Sequence, residues 1–131
     1  PATVIDTLWD VAKAMGFKGG NVLEGSAGIG NIIGQMPKDM SLNSDIEAVE
    51  IDTISGNILK LLYPDAKVHV TGFQDVVIPN NSVDLAVTNV PFVTGLHVYD
   101  KADKDLSRRF TNIHDFCIAK NIRKLREGGI G

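Results

Sequence analysis

Residues 21–34, NVLEGSAGIGNIIG, are the stretch whose reading decides the fold. NVLE (21–24) has the length and apolar centre of a short buried strand, and GSAGIG (25–30) leaves it toward a short helix that Pro37 closes. Gly28 and Gly30 lack a Cβ, so backbone N–H groups there can approach a ligand. Strand, glycine turn and helix in direct succession suit a wound parallel sheet, in which ligands lie beyond the carboxyl ends of the strands.

The rest of the chain repeats that alternation. Upstream, Ile5, Leu8, Trp9 and Ala12 stand at i, i+3, i+4 and i+7 and predict a helix ended by Gly16, with GFKGG (16–20) as the turn. Downstream, a polar loop, KDMSLNSD (38–45), precedes a second strand, IEAVEI (46–51). Asp52 or Thr53 can cap the next helix, in which Ile54, Ile58, Leu61 and Leu62 share a face until Pro64 stops it. KVHVT (67–71) alternates as a third strand, with Val68 and Val70 on one side, and VDLAVTN (83–89) is the fourth. A long polar segment, 93–111, and a helix from about Ile113 to Arg126, closed by Gly128, complete the chain. The expected class is α/β, a doubly wound, mainly parallel, Rossmann-like sheet.

The chain opens on Pro1 without Met, and GGIG (128–131) reads as the start of a further element. Residues 1–131 are therefore expected to form one partial domain, truncated after the fourth strand and its helix. On that reading the apolar edge of the fourth strand lacks a neighbour, which predicts self-association along it.

The net charge of −3 argues against a protein that grips nucleic acid with its whole surface. The charge is uneven: residues 1–100 carry 5 Lys/Arg against 12 Asp/Glu, and residues 101–131 carry 8 against 4. A basic C-terminal third allows one localised contact with an anion, although a solvated helix face has the same signature. The single cysteine, Cys117, excludes an internal disulfide and reads as a core filler, which points to a reducing, cytoplasmic setting. No stretch approaches a membrane span, and no membrane partner is expected.

Four polar residues fall at four successive strand ends: Glu24, Glu50, Asp75 and Asn89. Gly28, Gly30 and Gly34 give G-x-G-x-x-x-G, and Ile33 stands where the dinucleotide fingerprint has its third glycine. Glu24 beside the loop would repel a pyrophosphate, and no Lys or Arg lies near in sequence to offset it. S-adenosylmethionine, with an ammonium and a sulfonium and no phosphate, suits that charge better than NAD. Glu50 lies 20 residues beyond Gly30, where a carboxylate accepts from ribose hydroxyls. Asp75 could accept from an adenine amino group while Phe73 or Ile51 packs on the ring.

VLEGSAGIGNIIG (22–34), AVEID (48–52), GFQD (72–75) and TNVPF (88–92), in this order and spacing, resemble motifs I to IV of the N6-adenine DNA methyltransferases. The likeness is to the methylase domains of large helicase–methylase proteins carried by phages and conjugative elements, and it runs from about Val4 through NIHDFCIAKNIRKLREGGIG (112–131). It implies that Glu24, Ser26, Ala27, Gly28, Gly30, Glu50, Ile51, Phe73 and Asp75 hold S-adenosylmethionine and that Asn89, Val90, Pro91 and Phe92 hold a target adenine. DNA would be the partner, engaged through an intact parent protein, with the fragment alone inactive. Gly25 stands where the family has Pro, and Val90 replaces the first Pro of its (Asp/Asn/Ser)-Pro-Pro-(Tyr/Phe) motif.

The chemistry suits those residue types. The exocyclic amine of adenine is a poor nucleophile because its lone pair is delocalised into the ring. The Asn89 amide oxygen and the Val90 carbonyl could accept its two hydrogens, while Phe92 stacks on a flipped base. Rivals are a methyltransferase for RNA or for a protein glutamine, a cofactor-binding module without chemistry, and, disfavoured by Glu24, an NAD(P) oxidoreductase. Lys101, Lys104, Arg108 and Arg109 either meet DNA phosphates or lie in a solvated loop, since Asp100, Asp103 and Asp105 interleave with them. Lys120, Arg123, Lys124 and Arg126 are expected on the exposed face of the last helix. His69, expected to point outward from its strand, His97 and His114 lack metal-ligand spacing, and no metal is expected.

Overall fold

The computed structural model describes residues 2–93 and 95–131; Pro1, and Thr94 inside the polar segment 93–111, lie outside the described residues. Five parallel strands, β1 (Gly20–Glu24), β2 (Ser44–Glu50), β3 (Lys67–Val70), β4 (Val83–Val87) and β5 (Leu125–Ile130), form one sheet in the order β3-β2-β1-β4-β5. Glu24 pairs in register with Ala48 and Val87, and Glu50 with Val70, so the carboxyl ends of β1 to β4 open on one edge.

Side chains alternate across the strands and separate two apolar layers. Val22, Leu85 and Val87 pack with Trp9, Ala12, Ile32, Met36 and Met40, which come from α1 (Ala2–Ala14), α2 (Asn31–Gly34) and its sequel, and α3 (Lys38–Leu42). Leu23, Val49 and Ala86 face the other way and meet Leu106 of α5 (Lys104–Arg109) and Phe116 and Cys117 of α6 (Ile113–Lys124). The Trp9 indole N–H donates to the Ile32 carbonyl at 3.0 Å, fastening α1 to α2.

Several expectations are corrected. The last helix stops at Lys124, and residues 125–130 form β5 beside β4, with Val83 opposite Leu125 and Leu85 opposite Ile130. The sheet therefore does not end at the fourth strand, and the free β4 edge on which self-association was expected does not exist. Arg126 sits on β5 and pairs with Asp84 of β4. Lys120 and Lys124 are buried rather than exposed. The polar stretches 38–45 and 93–111 contain α3 and α5, each too short to carry a clear period.

In α4 (Thr53–Leu62), capped by the Asp52 carboxylate on the Ser55 N–H at 2.8 Å, Ile54, Ile58, Leu61 and Leu62 are exposed. The buried face carries Gly56 and Leu59 instead. A Cβ at Gly56 would stand 2.8 Å from both methyl groups of Val70, so the helix lies against β3 where it has no side chain. Gly56→Leu should lift α4 from the sheet and cost about 1–3 kcal/mol, the range for overpacking a close-fitted contact. A urea midpoint equal to that of the parent protein would refute this packing.

Candidate functional site

A cleft of about 280 Å³ lies at the carboxyl ends of the strands. Its walls are Gly25, Ser26 and Gly28 after β1, Val49, Glu50 and Ile51 at the end of β2, and Thr71 to Gln74 after β3. Asn89 and Pro91 close it after β4, and Ile113, Phe116 and Cys117 of α6 form its back. A larger cavity, about 630 Å³, lies elsewhere, between α1, α6 and β4–β5. It is lined chiefly by aliphatic side chains and lacks the convergent polar groups that orient a ligand.

Glu50 organises the cleft. One carboxylate oxygen accepts from the Gly28 N–H and the other from the Asp52 N–H, both at 2.7 Å. An ionised carboxylate has about four lone-pair positions, so two remain for a ligand. Ala27 donates its N–H to the Val49 carbonyl at 2.9 Å, and its side chain turns into the core with Ile33, Ala48 and Leu59.

The three glycines have different causes. Gly28 has a φ of +58°, and nothing lies within 4 Å of where its Cβ would stand, so a side chain there would project into open space at the cleft wall. Gly30 and Gly34 make room for another residue. Tyr63, from the end of α4, fills the Cβ position of Gly30 with its ring, beside Leu59, and that of Gly34 with its hydroxyl, which donates to the Gly30 carbonyl at 3.0 Å. Sequence reading missed Tyr63, and the spacing from Gly30 to Gly34, one helical turn, was its only trace.

Glu24 lies beneath the loop, 1% exposed, and does not line the cleft. Its Oε2 has no hydrogen-bond partner. Burial, reinforced by the nearby Glu50 charge and opposed by a hydrogen bond from the Ile33 backbone, pushes its pKa up to about 8. Phe73 is buried with its ring against Gly25: a Cβ on that glycine would meet the ring edge at 2.8 Å. Ile51 is 68% exposed on the cleft rim. Asp75 is exposed, accepts from its neighbour Gln74 at 3.0 Å, and stands outside the lining.

Asn89 is exposed at the cleft mouth, Pro91 lines it, and Val90 packs into the core beneath. Phe92 is 80% exposed and meets His114 edge-to-face at 6.0 Å, outside the lining. Cys117 is buried at the back wall, where loss of hydration raises its pKa to about 11 and keeps it a thiol. The basic segment is not a free loop. Arg123 clasps both Asp103 oxygens at 2.7 and 2.8 Å and reaches Asp105 at 3.0 Å, while Arg109 pairs with Asp105. The His69 ring, through Nε2, lies at hydrogen-bond distance, 2.6 Å, from the Glu47 carboxylate on the neighbouring strand. No helix among the described residues is long and apolar enough to cross a membrane.

This strand order, with the cleft at the strand ends, is the Rossmann-like fold of the S-adenosylmethionine-dependent methyltransferases. The modification subunit of a proposed type I restriction enzyme from Vibrio vulnificus YJ016 superposes with a TM-score of 0.73 at 14% identity, covering 95% of this chain and 30% of that one. A geranyl diphosphate methyltransferase in complex with S-adenosylmethionine gives 0.66 at 17% identity, covering 98% and 46%. Among curated proteins, the chain is 30% identical over 131 residues to Defense against restriction protein B of Escherichia phage P1. That alignment takes in 98% of this chain and 6% of the phage protein, so the chain spans a small part of the relative's length. No family model matches the chain.

The Glu24 carboxyl stays protonated in the folded protein up to about pH 8, whereas the unfolded chain ionises it above about 4.5. Between those values the unfolded state binds fewer protons, so stability falls as pH rises across that window and levels off above it. Glu24→Gln should flatten this slope and stabilise the fold by about 2–4 kcal/mol at pH 8.5 relative to pH 4.5. Urea unfolding of both proteins across that range checks it, and equal slopes would mean that Glu24 is ionised in the fold.

Proposed function

We propose that the chain forms the cofactor and target-base site of an S-adenosylmethionine-dependent methyltransferase that modifies the exocyclic N6 of adenine in DNA. The observation that carries the cofactor half is the composition of the cleft: Glu50 and an open glycine face, with no Lys or Arg among the lining residues. Such a wall suits a nucleoside with free hydroxyls and a cationic tail, and it offers nothing to a pyrophosphate.

The residues present fit that group. Glu50 keeps lone pairs for ribose hydroxyls, Ile51 offers an exposed apolar surface for a flat ring, and Gly28 leaves the wall open. Glu24, protonated under the loop over the neutral range, adds no charge to the cleft, so among the described residues the only carboxylate in its wall is that of Glu50. Asp75, turned to solvent, is not needed for this fit. When bound, S-adenosylmethionine supplies an electrophilic methyl group.

The protein's own part is to hold the amine. Asn89 Oδ1 and the Val90 carbonyl accept its two hydrogens, which withdraws the lone pair from the ring and directs it into the cleft. Pro91 fixes the backbone between those acceptors and Phe92. Phe92, exposed and steadied by His114, presents a flat face to a flipped base. Support for DNA comes from the TNVPF stretch at this strand end and from two relatives, a restriction-enzyme modification subunit and a phage protein named for defence against restriction.

Glu50→Ala should weaken S-adenosylmethionine binding by about 1–3 kcal/mol, the scale for hydrogen bonds to a charged group. Asn89→Ala should leave that binding unchanged and slow single-turnover methyl transfer to DNA by about 100-fold or more. The transfer assay is run on a protein that contains this chain and methylates, with RNA and a glutamine peptide as parallel substrates. Parental transfer rates in Asn89→Ala would refute the clamp, and methylation of RNA or peptide alone would refute adenine in DNA as the target.

A further inference from the structure

Lys120 is the most unusual side chain in the protein: an ammonium group in the interior, 0% exposed. Its three protons all have acceptors. Nζ donates to the Phe73 carbonyl at 2.6 Å, to the Val76 carbonyl at 2.9 Å and to Asp100 Oδ2 at 2.7 Å. It also stands over the Phe73 ring at 4.8 Å and the Phe116 ring at 5.7 Å. A lysine has three donors and no more, so this site is saturated without water.

The partners belong to two parts of the proposed site that do not touch in sequence. Phe73 opens the short 3₁₀ turn Phe73–Asp75 and Val76 follows it, and the Phe73 ring is a wall of the cofactor cleft. Asp100 ends the stretch that begins at the Asn89–Phe92 clamp, and it lies outside the cleft lining. Its position is fully determined. Oδ1 accepts from the Ala102 N–H at 2.8 Å and the Asp103 N–H at 3.0 Å. Its own N–H donates to Ser107 Oγ at 2.7 Å, and the Ser107 hydroxyl donates back to the Asp100 carbonyl at 3.1 Å. The stretch that follows the clamp is thus held by β4 at its start, by backbone pairing of Leu96 and Val98 with Ile113 and Thr111, and by Lys120 at Asp100.

We propose that Lys120 is a positioning residue that locks the Phe73 wall of the cofactor cleft and the far end of the base-clamp stretch to one point on α6. This rests on the reading of the cleft given above. Because both parts share one ammonium group, a change at Asp100 is transmitted to cofactor affinity although Asp100 offers the cofactor no group. A solvated or merely stabilising ion pair has no such consequence.

The control lies three residues along the same helix. Arg123 also ties the 93–111 segment to α6, through Asp103 and Asp105, but makes no bond to Phe73 or Val76. Calorimetry with S-adenosylmethionine on the parent chain, Asp100→Asn, Arg123→Gln and the double variant Lys120→Met/Asp100→Leu separates the roles, with a melting curve for each. Removing both charges of a buried pair for apolar groups of similar size is often tolerated, so the double variant keeps the test open if a single variant fails to fold. Asp100→Asn and the double variant should lose affinity by about fivefold or more, the low end of coupling between sites. Arg123→Gln should lower the melting temperature and keep parental affinity. Affinities within about twofold of the parent in Asp100→Asn and the double variant would overturn the proposal. So would an equal loss in Arg123→Gln, which would indicate general loosening. A parent chain with no affinity for S-adenosylmethionine would overturn the reading of the cleft, and this inference with it.

Discussion

The Glu50 carboxylate, taking the N–H groups of Gly28 and Asp52 at 2.7 Å each, is the interaction on which the shape of the site depends. Parallel strands deliver their chain ends to one edge with backbone groups that no sheet partner satisfies. At the end of β2 a single side chain collects two such donors, one from the glycine loop after β1 and one from the turn into α4. That links two neighbouring crossovers and leaves carboxylate lone pairs facing outward. A shorter Asp at position 50 would not span the same two donors. The rest of the cleft is arranged around this point.

Rigidity in the surroundings comes from close approach as well as from helix caps. Tyr63 occupies the space vacated at Gly30 and Gly34, Phe73 lies on Gly25, and Val70 lies on Gly56. In each case an aromatic or branched side chain is held against bare backbone, and the element that carries it is brought against the strand ends. Buried charge adds the remaining constraint. Lys120 with Asp100 is saturated, whereas Glu24 is left one acceptor short and remains protonated over the neutral range. The contrast is physical: the lysine has carbonyls within reach, and the glutamate faces apolar surroundings and a like charge.

Much of this was legible in the residue order. Strand, glycine turn and helix at 21–34 announced the sheet class, and the four polar strand ends pointed to its edge. Less legible was which of the polar groups face the cleft. Glu50 and Asn89 reach it, but Glu24 turns under the loop and Asp75 to solvent, because strand alternation and a 3₁₀ turn decide direction and neither leaves a local signature. β5 was hidden because REGG (126–129) has no apolar run; its pairing with β4 is tertiary, with Leu125 and Ile130 as its only apolar residues. The face of α4 was misread for a related reason: four exposed aliphatics out-signal one buried leucine and a glycine chosen for contact. Lys120 looked like surface charge, although Phe116 one turn earlier and Cys117 beside it already marked that face as apolar.

The central claim is that a cleft built on Glu50 and Gly28, without a cation in its walls, takes a nucleoside with a positive tail. Calorimetric titration of this chain with S-adenosylmethionine, with NAD as the matched comparison, tests it most directly. Saturable one-to-one binding of S-adenosylmethionine with no heat of binding for NAD is the predicted result. Binding of NAD in preference, or of neither, would contradict it.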